Sequence, residues 1–493
     1  MTNALSPLVA RPESLFIDGQ WVSSSTNTKI SVVDSVTEQE FLSVAAAGGA
    51  DVERAVVAAR EAFDNGPWPR MSLEERTKVF GALAEQLDAR AEQHARAWTL
   101  EAGALYSFTS ARSLRAGSDY LAYADVAADF PFEERHASKS GGEIALLLRE
   151  PVGVVAAIVP WNAAPSSIVK KVAPALISGC TVILKAAPEA PASAYILAEA
   201  CEAAGFPPGV VNVLAADREV SEVLVRNRGV DKVSFTGSTA AGRKIASICA
   251  ERMARFTMEL GGKSPAIIFD DYDIETAARQ IASRATQITG QVCAALTRII
   301  VPRNRHDALV EALSESFGKA KVGDPFDPDV EMGPLAMRRQ METVQSYIAK
   351  GVDEGAVLAA GGGRPAHLDR GFFVEPTVFA NVDNHSTIAR EEVFGPVLAV
   401  VPVESEEDAV DIANDTAYGL NASVFTNDVE RAYSVARRIR SGTVGQNGVR
   451  NENSIAFGGY KQSGIGREGG AEGLRSYLET KVVVLDAIPE TAG

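Results

Sequence analysis

The run Val152-Gly153-Val154-Val155-Ala156-Ala157-Ile158-Val159 is apolar throughout and opens an alternation that continues to Cys249. A strand with no polar face is covered on both sides, as in a parallel sheet. The next segment, Ala173–Ser178, ends a helix at Gly179, and Thr181–Leu184 reads as the next strand. A helix over Ser193–Ala204 closes at Gly205, followed by a strand at Val210–Leu214. Ser221–Arg226 is helical, Lys232–Phe235 a strand and Ala240–Cys249 a helix. Strand–helix alternation of this kind predicts an α/β fold with helices on both faces of the sheet.

A second alternating block runs from Ala266 to about Gln446, with strands near Ala266–Phe269, Arg298–Val301, Val397–Pro402 and Ser423–Phe425. Two α/β domains with a cleft between them follow. Upstream, Leu15–Val22 is a short apolar segment broken at Asp18-Gly19, a hairpin signal. Asp51 is expected to cap a helix over Val52–Phe63, and Ser72, with Glu75 three residues on, to cap Leu73–Ala91. The polar stretch Pro131–Gly142 followed by a strand at Glu143–Arg149 suggests an excursion that pairs outside the main body. Gly361-Gly362-Gly363 reads as a loop.

Composition narrows the function. The 493 residues are 46% hydrophobic, enough for two or three domains with their own cores. With 48 basic and 64 acidic residues the formal charge is −16, so the basic footprint of a nucleic-acid or anionic-membrane binder is missing. Cys180, Cys201, Cys249 and Cys293 are scattered without a Cys-x-x-Cys pair, which fits a reducing cytosol. The five histidines are equally dispersed, so no metal centre is expected. The N-terminus shows no secretory signal, and no apolar span is long enough to cross a bilayer.

Two residues 34 positions apart carry the chemistry: Glu259 in Met-Glu-Leu-Gly-Gly-Lys-Ser-Pro (258–265) and Cys293 in Gly-Gln-Val-Cys (290–293). A thiol and a carboxylate suggest covalent catalysis in which sulfur attacks and the carboxylate later activates water. A helix N-terminus or nearby dipoles at Cys293 would favour the thiolate, whereas the other three cysteines lie in apolar patterns and read as small core residues. Phe235-Thr236-Gly237-Ser238-Thr239 lies between a strand and a helix, where backbone N–H groups can hold phosphate, although a plain turn has the same pattern. In Pro160-Trp161-Asn162 the amide either donates to a developing oxyanion or satisfies a turn. Lys185 ends a strand, where ligands of α/β sheets gather, and could equally be a solvated lysine.

Together with Glu391-Glu392-Val393-Phe394-Gly395-Pro396 and Phe457-Gly458-Gly459-Tyr460-Lys461-Gln462-Ser463-Gly464, these motifs resemble those of the NAD(P)-dependent aldehyde dehydrogenase superfamily, over nearly the whole chain. No single motif is specific; the six in the family's order and approximate spacing are.

The resemblance implies an open Rossmann-like nucleotide-binding domain (14–127 and 150–258) and an α/β catalytic domain (259–446). It also implies a small β oligomerisation extension (128–149 and 477–493) and a return segment lining the active site (447–476). Cys293 would be the nucleophile, and the Asn162 side chain with the Cys293 backbone N–H the oxyanion hole. Glu259 would activate the water that hydrolyses the thioester, with Lys171 and Glu468 as a proton-relay pair. Lys185, Gly237, Ser238, Glu392, Phe394, Trp161 and Leu260 would bind NAD or NADP. Many NAD-preferring members carry a glutamate three residues after the ribose lysine; here Pro188 holds that place and Glu189 follows, so NADP is expected to be tolerated as well.

The implied partners are a small aldehyde and further copies of the chain, as a homodimer or homotetramer in the cytoplasm. Ala163, Ala164, Val292 and Ala294 are small, which suggests a roomy apolar entrance for medium or aromatic aldehydes unless other residues fill it. Arg450 could meet a substrate carboxylate or lie at the surface. A CoA-acylating semialdehyde dehydrogenase needs no water-activating base, and Glu259 speaks against it. A non-redox cysteine hydrolase leaves the nucleotide motifs without a purpose, and a non-catalytic protein of this fold has no need of Cys293, Glu259 and Asn162 together.

Overall fold

The computed structural model describes residues 8–489. Residues 1–7, where no secretory signal was expected, and 490–493, the end of the expected extension, lie outside the described residues. Three sheets organise the molecule, with a separate hairpin of Lys29–Val33 and Glu40–Ala45. The first has eight strands, of which five, Arg255–Glu259, Lys232–Thr236, Val154–Ile158, Thr181–Ala186 and Val211–Ala215, lie side by side and parallel. Its faces bury alternate residues. Val155, Ala157, Val182 and Leu184 join one core, and Val154, Ala156, Ile158 and Ile183 the other. This two-sided burial is why the strands read as unbroken apolar runs.

The second sheet has seven strands, all parallel except its edge strand Val357–Ala360. Only four residues, Leu260–Lys263, join Glu259, the last residue of a strand in the first sheet, to Ser264, the first of a strand in the second. The third sheet pairs Leu478–Leu485 with Ile144–Pro151, and that strand with Glu133–Ala137. The excursion therefore pairs outside the two main sheets, as the sequence suggested.

Local signals mostly hold. Asp18 and Gly19 both take left-handed φ, 56° and 70°, and join Ser14–Ile17 to Gln20–Ser23 in a tight hairpin. Ser72 Oγ accepts from the Glu75 N–H at 3.2 Å, and Glu75 accepts from the Ser72 N–H at 2.7 Å, closing the expected capping box. The expectation for Asp51 needs correcting. The helix starts earlier, at Gly49, with Gly48 as its cap. Asp51 instead sits in the first turn and reaches back to accept from the Gly48 N–H at 2.8 Å. A buried carboxylate that also receives the Ser25 backbone and hydroxyl is better used there than as a surface cap.

Candidate active site

The loop that carries Cys293 is strained and tightly held. After the helix Ile274–Ala285, Ile288, Thr289 and Gly290 take left-handed φ of 47°, 54° and 71°. Two of these residues are β-branched, and such conformations cost about 1–3 kcal/mol each. Buried hydrogen bonds offset that cost. Thr289 Oγ1 donates to the Gly333 carbonyl at 2.9 Å. Gln291, fully buried, donates to the carbonyls of Ala102 (3.1 Å) and Ile288 (2.9 Å) and accepts from the Ala336 N–H at 2.9 Å. The Asn162 side chain donates to the Gln291 carbonyl at 2.8 Å, and the Trp98 indole N–H to the Asn162 carbonyl at 2.8 Å. Asn162 is thus fixed against the cysteine loop, two residues from the thiol.

Cys293 packs with Ala294, Leu420 and Phe457. It lies between the short 3-10 turn Gln287–Gly290 and the strand Leu296–Pro302, so the expected helix N-terminus is not there. Burial, reinforced by the Glu392 and Glu259 carboxylates against the pull of Lys170, pushes its thiol up to about 12. The thiolate is therefore disfavoured by the local field, contrary to expectation. Cys180, Cys201 and Cys249 are fully buried core residues.

Glu259 is buried at the end of Arg255–Glu259, opposite Thr236, and neither carboxylate oxygen has a hydrogen-bond partner among the described residues. Burial, with Glu468 adding to it, holds its carboxyl well above the usual range, against the opposing charges of Lys171, Lys170 and Arg467. Gly458 makes room for it: a Cβ there would lie 2.7 Å from Glu259 Oε1. Lys171 and Glu468 form a buried ion pair. Glu468 is fixed by exchanging backbone hydrogen bonds with Phe457, at 2.6 and 2.7 Å. The pair lies near Glu259 without a hydrogen bond to it.

On the other side a cleft of about 380 Å³ opens beyond the C-terminal ends of the first sheet's strands. Trp161, Lys185, Gly237 and Ser238 line it. Ser238 caps the helix Thr239–Glu251, its Oγ accepting from the Ala241 N–H at 3.3 Å. Lys185 is buried with no carboxylate within ion-pair distance among the described residues, and burial brings it down to about 8. Trp161 and Phe394 meet edge to face at 5.5 Å, and Phe394 is held at φ 57° with the Gln340 side chain on its carbonyl at 2.8 Å. Glu392 accepts from the Gly262 N–H at 3.0 Å; burial brings its carboxyl to about 7. A Cβ on Gly261 would sit 2.2 Å from Glu392 Oε2, so only glycine allows that approach. The Leu260 N–H donates to the Ser463 carbonyl at 2.9 Å, which ties the linker to the return segment.

Cys293, Glu259, Asn162, Lys171, Glu468, Lys185, Gly237, Ser238, Glu392, Phe394, Trp161 and Leu260 all stood out in the sequence, whereas the groups that hold them mostly did not. Gln291 and Gly458 were quoted only inside motifs. Thr289 and Lys170 carried no signal, because left-handed β-branched backbone and a half-buried lysine leave no pattern in a sequence. Ala163 and Val292, both small, pack against the buried cluster of Trp98, Ala102, Ala104 and Ile288, so they are partly covered. Arg450 is exposed. Among the described residues no set of metal-ligating side chains converges, and no helix is long and apolar enough to cross a membrane.

Residues 21–483 match the aldehyde dehydrogenase family. Geranial dehydrogenase of Castellaniella defragrans is 40% identical over 473 residues, 96% of this chain and 98% of that protein. Among solved structures, a Mycobacterium tuberculosis aldehyde dehydrogenase complexed with NAD+ superposes with a TM-score of 0.93 at 42% identity, covering 96% of this chain and 98% of that one. A mutant of aldehyde dehydrogenase C from Pseudomonas syringae, complexed with NAD+ and octanal, gives 0.93 at 40% identity, covering 98% and 99%. The chain belongs to the aldehyde dehydrogenase family. It is an oxidoreductase that converts aldehydes to carboxylic acids.

Proposed function

We propose that Cys293 attacks the aldehyde carbon as a thiolate while the Asn162 amide and the Cys293 backbone N–H receive the developing oxyanion. The tetrahedral thiohemiacetal loses hydride and leaves a thioester on sulfur. Glu259 then takes a proton from water, which attacks the thioester and releases the acid and the thiol. Lys171 and Glu468 would carry the proton away. One juxtaposition carries this account: Phe457 and Cys293 belong to one apolar cluster while Gly458, next to Phe457, leaves space for the Glu259 carboxylate, so nucleophile and base share one site.

The chain's residues fit a nicotinamide dinucleotide. Lys185 offers a buried unpaired cation and Ser238 a helix N-terminus, while Glu392 and the Trp161–Phe394 pair stand on the Cys293 side. Bound NAD+ would supply the hydride acceptor. NAD+ is named in both solved relatives. NADP would also be accepted. Pro188 gives no carboxylate at the cleft wall, Glu189 is turned onto Arg339 at 2.9 Å, and Arg218 lines the same cleft, where Lys244 is paired with Glu222.

The substrate class is a medium, largely apolar aldehyde, in keeping with the small residues beside Cys293 and with the geranial and octanal named for relatives. The division into nucleotide-binding (14–127, 150–258), catalytic (259–446), extension (128–149, 477–493) and return (447–476) segments belongs to the same proposal, the return segment adding Gly464–Ile465 to the edge of the first sheet. A homodimer or homotetramer in the cytoplasm is proposed with it. The outer strand Leu478–Leu485 leaves Val482 64% and Val484 46% exposed on a free edge, which invites pairing. Absorbance at 340 nm with a panel of aldehydes and either cofactor tests the activity. Wild type should reduce NAD+ with a medium-chain aldehyde, and no reduction with any member of the panel would overturn the proposal.

A further inference from the structure

Lys170 and Lys171 are neighbours on the helix Ala164–Ile177, so they point about 100° apart around its axis. Lys171 turns inward to Glu468. Lys170 turns to the reaction side, where its ammonium stands 4.4 Å from the centre of the Phe457 ring. Phe457 shares one apolar cluster with Cys293, and Gly458 beside it leaves a Cβ-sized space against the Glu259 carboxylate. Lys170 is half-buried and has no carboxylate within ion-pair distance among the described residues. A cation with no committed partner therefore stands within one aromatic ring of both the nucleophile and the base.

We propose that Lys170 is a positioning residue whose one charge serves two anions in turn, first the Cys293 thiolate and then the Glu259 carboxylate.

The charges around each group show why such a cation is needed. Cys293 faces Glu392 and Glu259, both of which oppose its ionisation, and Lys170 is the cation that favours it. Glu259 faces Glu468, which opposes ionisation, and Lys171, Lys170 and Arg467, which favour it. Lys171 is already neutralised by Glu468, whereas Lys170 is not. The order of the reaction lets one charge do both tasks. Attack moves the negative charge from sulfur to oxygen; loss of hydride removes it, and the thioester is neutral. The ammonium then has no anion at sulfur and favours the ionised base when water must be activated. Phe457 holds the ammonium by a cation–π contact, which leaves its hydrogen bonds uncommitted.

The inference rests on the assignment of Cys293 as nucleophile, and its test separates the two. Cys180, Cys201 and Cys249 are fully buried, so iodoacetamide reports on Cys293, with Cys293→Ala as the blank. The rate of alkylation is followed against pH in the enzyme without added cofactor, for wild type, Lys170→Met and Lys170→Arg. Lys170→Met keeps the stem and removes the charge, and should raise the midpoint by about one pH unit. Lys170→Arg should restore most of the shift, and a packing role would not follow charge in this way. The pH midpoint of steady-state turnover should rise in Lys170→Met as well. A Lys170→Met alkylation profile that overlays wild type overturns the inference. So does a variant with unchanged alkylation that loses activity only toward aldehydes carrying a second, anionic group, which would make Lys170 a substrate contact. If Cys293→Ala keeps its alkylation and turnover, it is the nucleophile assignment that fails.

Discussion

The two walls of the active site are built in opposite ways. On the Cys293 wall nearly every polar group is committed. Gln291 makes three buried hydrogen bonds, Thr289 fixes a left-handed turn, and Asn162, held in turn by Trp98 on the helix Ala91–Ala102, braces the loop. On the Glu259 wall the carboxylate has no hydrogen-bond partner among the described residues and lies in a space kept open by Gly458. The contrast follows from the tasks. A nucleophile works by being in one place when the carbonyl arrives, so rigidity helps. A base that acts on water must be able to lose and regain a proton, and hydrogen bonds that fixed its anion would make it a poorer base.

Removing the sulfur should do the most damage. Cys293→Ala is expected to lower kcat by at least about a thousandfold, while NAD+ binding, measured by calorimetry, stays within a few-fold of wild type. Comparable activity in the variant would remove the fixed wall's purpose.

Glu259→Gln keeps the shape of the open wall and should reduce kcat by about a hundredfold. The pH dependence also has a definite sign. The carboxyl is held above its usual range and works only when ionised, so wild-type turnover rises with pH through a midpoint above ordinary carboxylates. That limb should vanish in Glu259→Gln.

Loosening the fixed wall is expected to cost stability as well as rate. Gln291→Ala strands the Ala336 N–H and the Ala102 carbonyl in the interior, while the Ile288 carbonyl keeps the backbone N–H of residue 291. We expect a loss of about 2–4 kcal/mol, by analogy with other buried groups left unpaired, seen as a lower Tm together with reduced kcat/KM. An unchanged Tm would mean that the left-handed turn holds without the glutamine.

The smallest effect lies behind Trp98. His94 is buried there with neither ring nitrogen bonded, and burial lowers it from 6.5 to about 4. The unfolded chain takes up that proton below about pH 6.5 and the folded chain only near 4, so stability should fall as the pH drops through this window. His94→Leu should flatten that part of a Tm-against-pH curve, and a parallel curve would show that His94 plays no part.

Much of this was legible in the chain. Four of the five parallel strands of the first sheet could be read because burial on both faces writes an uninterrupted apolar run, as at Val154–Ile158, but Arg255–Glu259 could not, since it starts at an exposed arginine and mixes polar with apolar residues. The short strands Val357–Ala360 and Thr377–Ala380 were not, since four residues carry too little pattern. Asp51 misled because a carboxylate at a helix start serves equally as cap or as third residue of the first turn. Cys293 and Glu259 stood out by residue type and motif. The electrostatic cost of their ionisation did not, because it depends on Glu392, Glu468 and Lys170, which only the fold brings close.

The division of labour between the walls is tested most directly by rapid mixing of Glu259→Gln enzyme with NAD+ and a medium-chain aldehyde. A burst of NADH close to one per active site, at a rate near that of wild type and followed by slow turnover, is the predicted result. Loss of the burst in proportion to turnover would contradict it, and would place Glu259 before the thioester rather than after it.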